Sequence, residues 1–219
     1  TIYWNIMAKI PEGILGVLIG KVGPVSGYRR NGENIIRTAS RRKDNKITPK
    51  RIAQQQKIKV CNDFTSAFSG TGFFNKSFPS NGDSGTGYNR ATSAIMNLAI
   101  TGNYPLIAIS YPLLLISKGS LPGAENASAV INSEGNILFS WTKNNSTGTA
   151  KTNDKVILVA YFQGMKEVIY KIGEATREDG VALLETKKMQ GQSAETWIGF
   201  LSNDEKNAGN SVYTGKMNL

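Results

Sequence analysis

Ile137-Leu138-Phe139-Ser140-Trp141-Thr142 is a short strand-forming run, entered through the turn residues Glu134-Gly135-Asn136. The same pattern repeats on the C-terminal side. Runs at Val156–Phe162, Val168–Ile172, Val181–Leu184, Thr196–Leu201 and near Ser211–Thr214 are separated by turns such as Gln163-Gly164 and Asp179-Gly180. On the N-terminal side there is a run around Val130, and Leu106–Ser110 and Leu113–Ser117 flank Pro112. Short strands at this spacing predict an all-β sandwich. Tyr104-Pro105 is a plausible start for it.

Upstream of Tyr104 the pattern changes. Thr48-Pro49 reads as a helix N-cap followed by proline at the first helical position. Val60, Phe64, Ala67 and Phe68 continue that helix on one apolar face, so its last two turns carry the anchor and its first turns are basic and glutamine-rich. Residues 69–88 read as a loop pinned by Phe73, Phe74 and Phe78, and a shorter helix is predicted over Arg90–Ala99. Before them, Val25–Arg30 and Glu33–Arg37 flank Asn31-Gly32, the signature of a type I′ β-hairpin, which is expected to present its basic side chains on one face. Gly13, Gly16, Gly20, Gly23 and Gly27 would align as a stripe on a helix. Five glycines and Pro24 cost a helix too much, about 1 kcal/mol for each Gly and about 3 for Pro, so this stretch is read as extended. The expected organisation is therefore a hairpin-and-helix region, 7–103, followed by a sandwich domain, 104–219.

The formal net charge of +10 is concentrated in one place. From Arg29 to Lys59 eleven basic residues face only Glu33 and Asp44, whereas from Tyr104 onward eleven basic residues meet eleven acidic ones. Such asymmetry points to an anionic partner. The candidate partner-binding residues are Arg29, Arg30, Arg37, Arg41, Arg42, Lys43, Lys46, Lys50 and Arg51.

Conventional catalytic chemistry finds little support. With no histidine, a Ser-His-Asp triad, a Cys-His pair and a histidine zinc site are all impossible, and Cys61, the only cysteine, can form neither an internal disulfide nor a thiolate cage. Cys61 is expected to be a buried small side chain on the helix. Gly20-Lys21 fails as a phosphate loop because Leu15 and Val22 stand where Gly and Ser or Thr are required. Asp154, Glu178-Asp179 and Asp204-Glu205 fall among turns and read as solvated loop charges. Four Asn-x-Ser/Thr triplets, at Asn75, Asn126, Asn144 and Asn145, read as polar loops. The longest Gly-rich apolar run, Gly13–Gly20, is far shorter than a membrane span. No secretory signal precedes Met7-Ala8-Lys9, which reads like a translation start, so a cytoplasmic or particle-associated protein is expected, with no cofactor, no metal and no catalytic residues.

Two resemblances extend this reading. Ile137–Thr142 resembles the second strand of fibronectin type III and related immunoglobulin-like modules, in which a buried Trp anchors the core; Thr196–Leu201 and Asn210–Gly215 are similar to their last two strands. The whole chain from Met7 is similar to an uncharacterised family, a domain of unknown function abundant in Bacteroidota. The residues that carry this are Gly20-Lys21-Val22-Gly23, the Gly27-Tyr28 hairpin ending in Ile36-Arg37, the basic run into Thr48 and Gln54–Gln56, and Ser211-Val212-Tyr213. The hairpin and basic helix also resemble small proteins of prophage regions.

The resulting expectation is a mainly β, non-enzymatic structural or assembly protein whose basic region docks on an acidic protein surface or a larger assembly. The alternative is a nucleic-acid-binding protein that uses residues 29–59 on phosphates, with Tyr28 stacking on a base. A merely solvated basic face is the third possibility.

Overall fold

The structure, a computed structural model, describes residues 8–11, 13, 16–30, 32–38, 47–80, 82, 85–145 and 147–219. Contacts divide the chain into two units, Thr1–Ile47 and Thr48–Leu219. The first contains an antiparallel sheet of β1 (Gly20–Val22), β2 (Val25–Arg30) and β3 (Glu33–Thr38), in that order. Lys9 and Ile19 exchange backbone hydrogen bonds beside it, at 2.8 and 2.9 Å. Among the described residues this unit contains no helix. The glycine-rich stretch is extended and turned, with positive φ at Gly13, Gly20 and Gly23.

The second unit opens with α1 (Pro49–Thr65), α2 (Phe73–Ser77) and α3 (Gly87–Leu98), followed by a two-stranded ribbon of β4 (Ile100–Thr101) and β5 (Ala108–Ile109). The Thr48 side chain caps α1 by accepting from the Arg51 N–H at 3.3 Å, and a 3₁₀ turn over Ser66–Phe68 carries the helical path on to Phe68. Seven strands complete the unit: β6 (Glu125–Ile131), β7 (Ile137–Thr142), β8 (Lys155–Phe162), β9 (Glu167–Thr176), β10 (Val181–Leu184), β11 (Ser193–Leu201) and β12 (Val212–Asn218). They form two antiparallel sheets, β10-β7-β6 and β12-β11-β8-β9. The fold is thus mainly β, a sandwich with a minor helical part.

Strand β8 explains how the layers are arranged. Val156, Leu158, Ala160 and Phe162 enter one core with Ile137, Phe139, Trp141, Leu184, Ile198 and Phe200, between the two sheets. Ile157, Val159 and Tyr161 point the other way, into a second core with Cys61, Phe64, Phe68, Phe73, Phe74, Ile95 and Trp197. A strand buried on both faces reads as a continuous apolar run, as this one does. The helices are therefore a third layer, laid on the outer face of the four-stranded sheet.

This corrects the expected boundary at 103/104, because that line runs through one hydrophobic core. The Phe64 ring lies 4.9 Å from Tyr161, and Phe73 lies 4.9 Å from Tyr170. The segment read as a pinned loop contains α2, and its three phenylalanines are buried as predicted. Of the two strands expected around Pro112, only Ala108–Ile109 forms, in the ribbon with β4 and outside the sandwich. Pro112 instead sits in a 3₁₀ turn over Tyr111–Leu113, after which Leu114 and Ile116 join the helix-side core.

Asp154 is a second correction. It is buried and not solvated, and its Oδ2 accepts from Arg177 Nε at 3.1 Å in an ion pair with both side chains buried. Two further donors of the guanidinium reach Asn144 Oδ1 at 2.6 Å and the Pro122 carbonyl at 2.9 Å, and its carbon lies 3.7 Å from the Phe200 ring centroid. Asn144, read as part of a polar loop, is itself buried, and its amide donates to Gly123 O and Glu125 Oε1. Trp141 Nε1 donates to the Arg177 carbonyl at 3.0 Å. From the turn after β9, one residue thus binds the segments before β6, after β7 and before β8. Burial pulls the Arg177 pKa down, against the opposing pull of Asp154.

Truncating Trp141 to Ala is expected to cost about 3–5 kcal/mol, as large aromatic core deletions do. Asp154→Ala strands the buried guanidinium, with an expected loss of about 3–5 kcal/mol. Urea unfolding of each variant measures both; a loss below about 1 kcal/mol, the scale of surface substitutions, would contradict the assigned burial.

Candidate partner-binding surface

The hairpin that carries the first basic residues is built around a two-residue turn. Arg30 pairs with Glu33, and Gly32 in the turn adopts φ +86°, a left-handed conformation natural to glycine. Asn31 lies outside the described residues. Gly27, in the middle of β2, is needed for a different reason: a Cβ there would fall 2.2 Å from the Leu18 carbonyl oxygen. The 16–19 segment thus packs directly onto the backbone of β2, which holds the hairpin in its sheet.

The register then places the side chains. Ser26 is opposite Arg37, Tyr28 opposite Ile35, Arg30 opposite Glu33, and Lys21 opposite Ser26, so Lys21, Tyr28, Arg30 and Arg37 share one face. Arg29 falls on the other face with Gly27 and Ile36, and its Nε lies 3.5 Å from Gly32 O. The single basic face expected of the hairpin is therefore split, because successive residues of a strand point to opposite sides. Arg29, Arg30 and Arg37 are all exposed. The Arg37 guanidinium carbon lies 5.4 Å from the centroid of the Tyr28 ring, a cation–π contact within the hairpin.

Arg41, Arg42, Lys43 and Lys46 lie outside the described residues. Lys50 and Arg51 occupy the first turn of α1 and are exposed. That end of a helix carries partial positive charge, and here the first turn has no acidic residue. Each cation at that position costs a helix roughly 0.3–1 kcal/mol. The pair is thus placed against helix stability, and α1 is held by its other end, where Cys61, Phe64 and Thr65 are buried and Thr65 Oγ1 and Tyr88 OH share a 2.7 Å hydrogen bond. Cys61 is an inert thiol: burial pushes its pKa up to about 11.

A second polar cluster escaped the sequence reading. Glu195, on the helix-facing side of β11, is buried and accepts a short hydrogen bond from Tyr213 OH. Burial raises the Tyr111 pKa to about 12, with Tyr161 and Glu195 adding to the effect, and raises that of Tyr213. Glu195 sits in a Ser-Ala-Glu-Thr-Trp run that alternates as any strand does, and only the helical layer above it makes the position buried. Among the described residues no three His, Cys, Asp or Glu side chains come together as a metal-holding group, and no helix is long and apolar enough to cross a membrane.

A family model matches residues 17–215, from just before β1 into β12. The chain belongs to the Family of unknown function (DUF6266). Comparison with curated proteins and with solved structures gave no match. The matched span takes in the basic hairpin and all of the sandwich up to the middle of β12, so the family's unit includes both and not the sandwich alone.

Gly27→Ala is expected to lower stability sharply, since its methyl meets a backbone oxygen and not a flexible side chain, whereas Gly23→Ala, with open space around it, pays only for its positive φ. Amide exchange in Ser26–Arg30 reads the difference: faster exchange in the Gly27 variant is predicted, and unchanged exchange would show that Leu18 does not pack there.

Proposed function

We propose that this DUF6266 protein is a non-enzymatic structural or assembly protein that docks through its basic N-terminal residues on an acidic protein surface within a larger assembly and displays a β-sandwich from it. The observation that carries the reading is the separation of charge from scaffold. Residues 1–47 hold nine Lys and Arg against three Asp and Glu, whereas 48–219 hold seventeen against thirteen in more than three times the length. The sandwich supplies the rigid body, and the hairpin unit and the start of α1 supply the countercharge that an acidic partner would meet.

Exposed apolar residues beside these charges favour a protein partner over a nucleic acid. Ile36 is 65% exposed on the hairpin face that carries Arg29, and Ile47 is 68% exposed just before α1. Apolar anchors among basic residues suit a protein interface. Tyr28, the residue able to stack on a base, already carries Arg37 over its ring. The sandwich is best read as fibronectin type III-like: its second strand is β7 with Trp141 in the core, and its last two are β11 and β12, the runs whose sequences resemble those strands. A component of a phage or mobile-element particle in Bacteroidota fits this description.

Titration with labelled single- and double-stranded DNA between about 50 and 200 mM salt tests the reading, since phosphate binding gives a log–log slope of about −0.7 to −0.9 per contact. The expected result is no tight binding and no slope of several contacts. A steep linear slope that flattens in Arg30→Glu and Arg37→Glu would assign the basic residues to nucleic acid instead.

A further inference from the structure

Within the second unit the excess positive charge belongs to its first part. Residues 48–124 hold seven Lys and Arg against Asp63 and Asp83, whereas 125–219 hold ten against eleven. Between Asp83 and Glu125 the sequence has no acidic residue. Both walls of a groove of about 470 Å³ come from that stretch. Arg90, Ser93, Ala94, Asn97 and Leu98 form one wall, spaced at i, i+3, i+4, i+7 and i+8 on one face of α3. Lys118, Gly119 and Ser120 form the other, with Asn210 beside them and Phe78 and Pro79 completing the lining.

The second wall is pinned by its own backbone. Lys118 N–H donates to the Ser77 carbonyl at 3.1 Å, and the N–H groups of Gly119 and Ser120 donate to Asn210 Oδ1 and Asn207 Oδ1, each at 3.3 Å. Gly119 lies so close to the next segment that a Cβ there would fall 2.2 Å from the Ala208 carbonyl oxygen. The same bonds decide which polar atoms remain. Asn210 uses its oxygen, so its amide N–H groups are left to donate; Ser120 Oγ accepts from Asn207 Nδ2 at 2.8 Å, so its O–H is left to donate. On α3, Arg90 gives Nε and Nη2 to the Phe78 carbonyl and Nη1 to that of Gly85, which fixes the guanidinium and leaves one N–H on each of Nη1 and Nη2. Lys118 is exposed. Among the described residues no carboxylate lines the groove, and neither cation makes an ion pair. A lining of donors and cations selects an anion, and charge-assisted bonds to it are the strong ones.

The apolar part of the lining narrows the choice. Phe78, Pro79, Ala94 and Leu98 give nothing to a free phosphate, whereas a carboxylate on a hydrocarbon stem uses both kinds of wall. Lys118 and Arg90 bond neighbouring carbonyls, those of Ser77 and Phe78, so the cations gather at the Phe78 end. Leu98, 46% exposed, stands eight residues along α3 from Arg90, about 12 Å away, a length that about four extended residues span. We infer that the α3 groove binds a short acidic segment of a protein partner, its carboxylate held at the Arg90 and Lys118 end and an apolar side chain laid toward Leu98. The choice of a protein partner rests on the assembly reading above; the preference for an anion does not.

Titration of the nitrogen-15-labelled full chain with the peptide acetyl-Leu-Glu-Leu-Glu-Leu-amide, followed by backbone amide shifts, tests this. Saturating shifts are expected at Ser93, Asn97, Gly119 and Ser120, and none with the peptide in which glutamine replaces each glutamate. Lys118→Glu, at an exposed position, is expected to weaken binding by about tenfold or more, and Lys118→Arg to retain it. Arg30→Glu/Arg37→Glu, which leaves the groove untouched, is expected to bind there as the wild type does. Equal shifts with the glutamine peptide, affinity indifferent to Lys118→Glu, or no response at any amide overturns the inference. Inorganic phosphate that saturates the same amides more tightly than the acidic peptide overturns the assignment to a protein segment. Shifts confined to β2 and β3 overturn the groove alone and leave the assembly reading of the hairpin standing.

Discussion

The central pair β8 and β11 is buried on both faces, and the rest of the second unit follows from covering it. Val156, Leu158, Ala160 and Phe162 require one cover and Ile157, Val159 and Tyr161 another. At about 1.5–3 kcal/mol for each fully buried large apolar side chain, leaving either face open would cost more than a domain's whole margin of stability. The three-stranded sheet closes one side. On the other, α1, α2 and α3 contribute Phe64, Phe68, Phe73, Phe74 and Ile95, with the Leu114–Ile116 segment filling in beside them. The aromatic rings meet at tilted and edge-on angles, as in Phe68 with Phe74 at 4.7 Å and Trp197 with Tyr213 at 5.6 Å, the arrangements that ring quadrupoles favour.

That dependence also explains which parts of the fold were legible in sequence. The strands from Ile137 to Leu201 were readable because β-branched and aromatic residues cluster between turn residues, and α1 was readable because Thr48-Pro49 and the spacing of Phe64 and Phe68 are local signals. What a helix face packs against is not a local signal. The apolar stripe of α1 is the same whether it meets another helix or a sheet, so the boundary placed at 103/104 separated two layers of one core. Leu106–Ser110 and Leu113–Ser117 have strand composition, yet a buried path over the sheet face selects for the same residues.

The polar errors have a common origin in burial. Asp154 and Asn144 stand among turn residues, where charges are ordinarily solvated, and nothing near them in sequence indicates that Arg177, on another turn, closes over both. The ion pair is costly to desolvate and is offset only by hydrogen bonds that occupy each edge of the guanidinium and by stacking on Phe200. Its position at the junction of three connections suits a device that selects one arrangement of loops more than one that adds net stability. The basic candidates fared differently. Arg29, Arg30, Arg37, Lys50 and Arg51 are at the surface, as composition alone foretold, but the strand period divides the hairpin's arginines between two faces, a consequence of pairing register that charge counting does not contain.

The placement of the cations carries the functional argument one step further. Lys50 and Arg51 lie at the positive end of α1 with no carboxylate in that turn, and Arg30 and Arg37 project from a small sheet held in place by a Leu18–Gly27 backbone contact. The hairpin arginines have local partners, Arg30 opposite Glu33 and Arg37 over the Tyr28 ring, whereas the cations at the start of α1 lower that helix's stability. A chain free to vary these residues for folding alone would have set acids in the first turn of α1. The carboxylates around β9 and β10 are engaged locally, Glu174 and Glu185 by Lys171 and Asp179 by the backbone and hydroxyl of Thr176. Countercharge is therefore missing from the first turn of α1, the pattern expected when neutralisation there is completed by association and not within the local element.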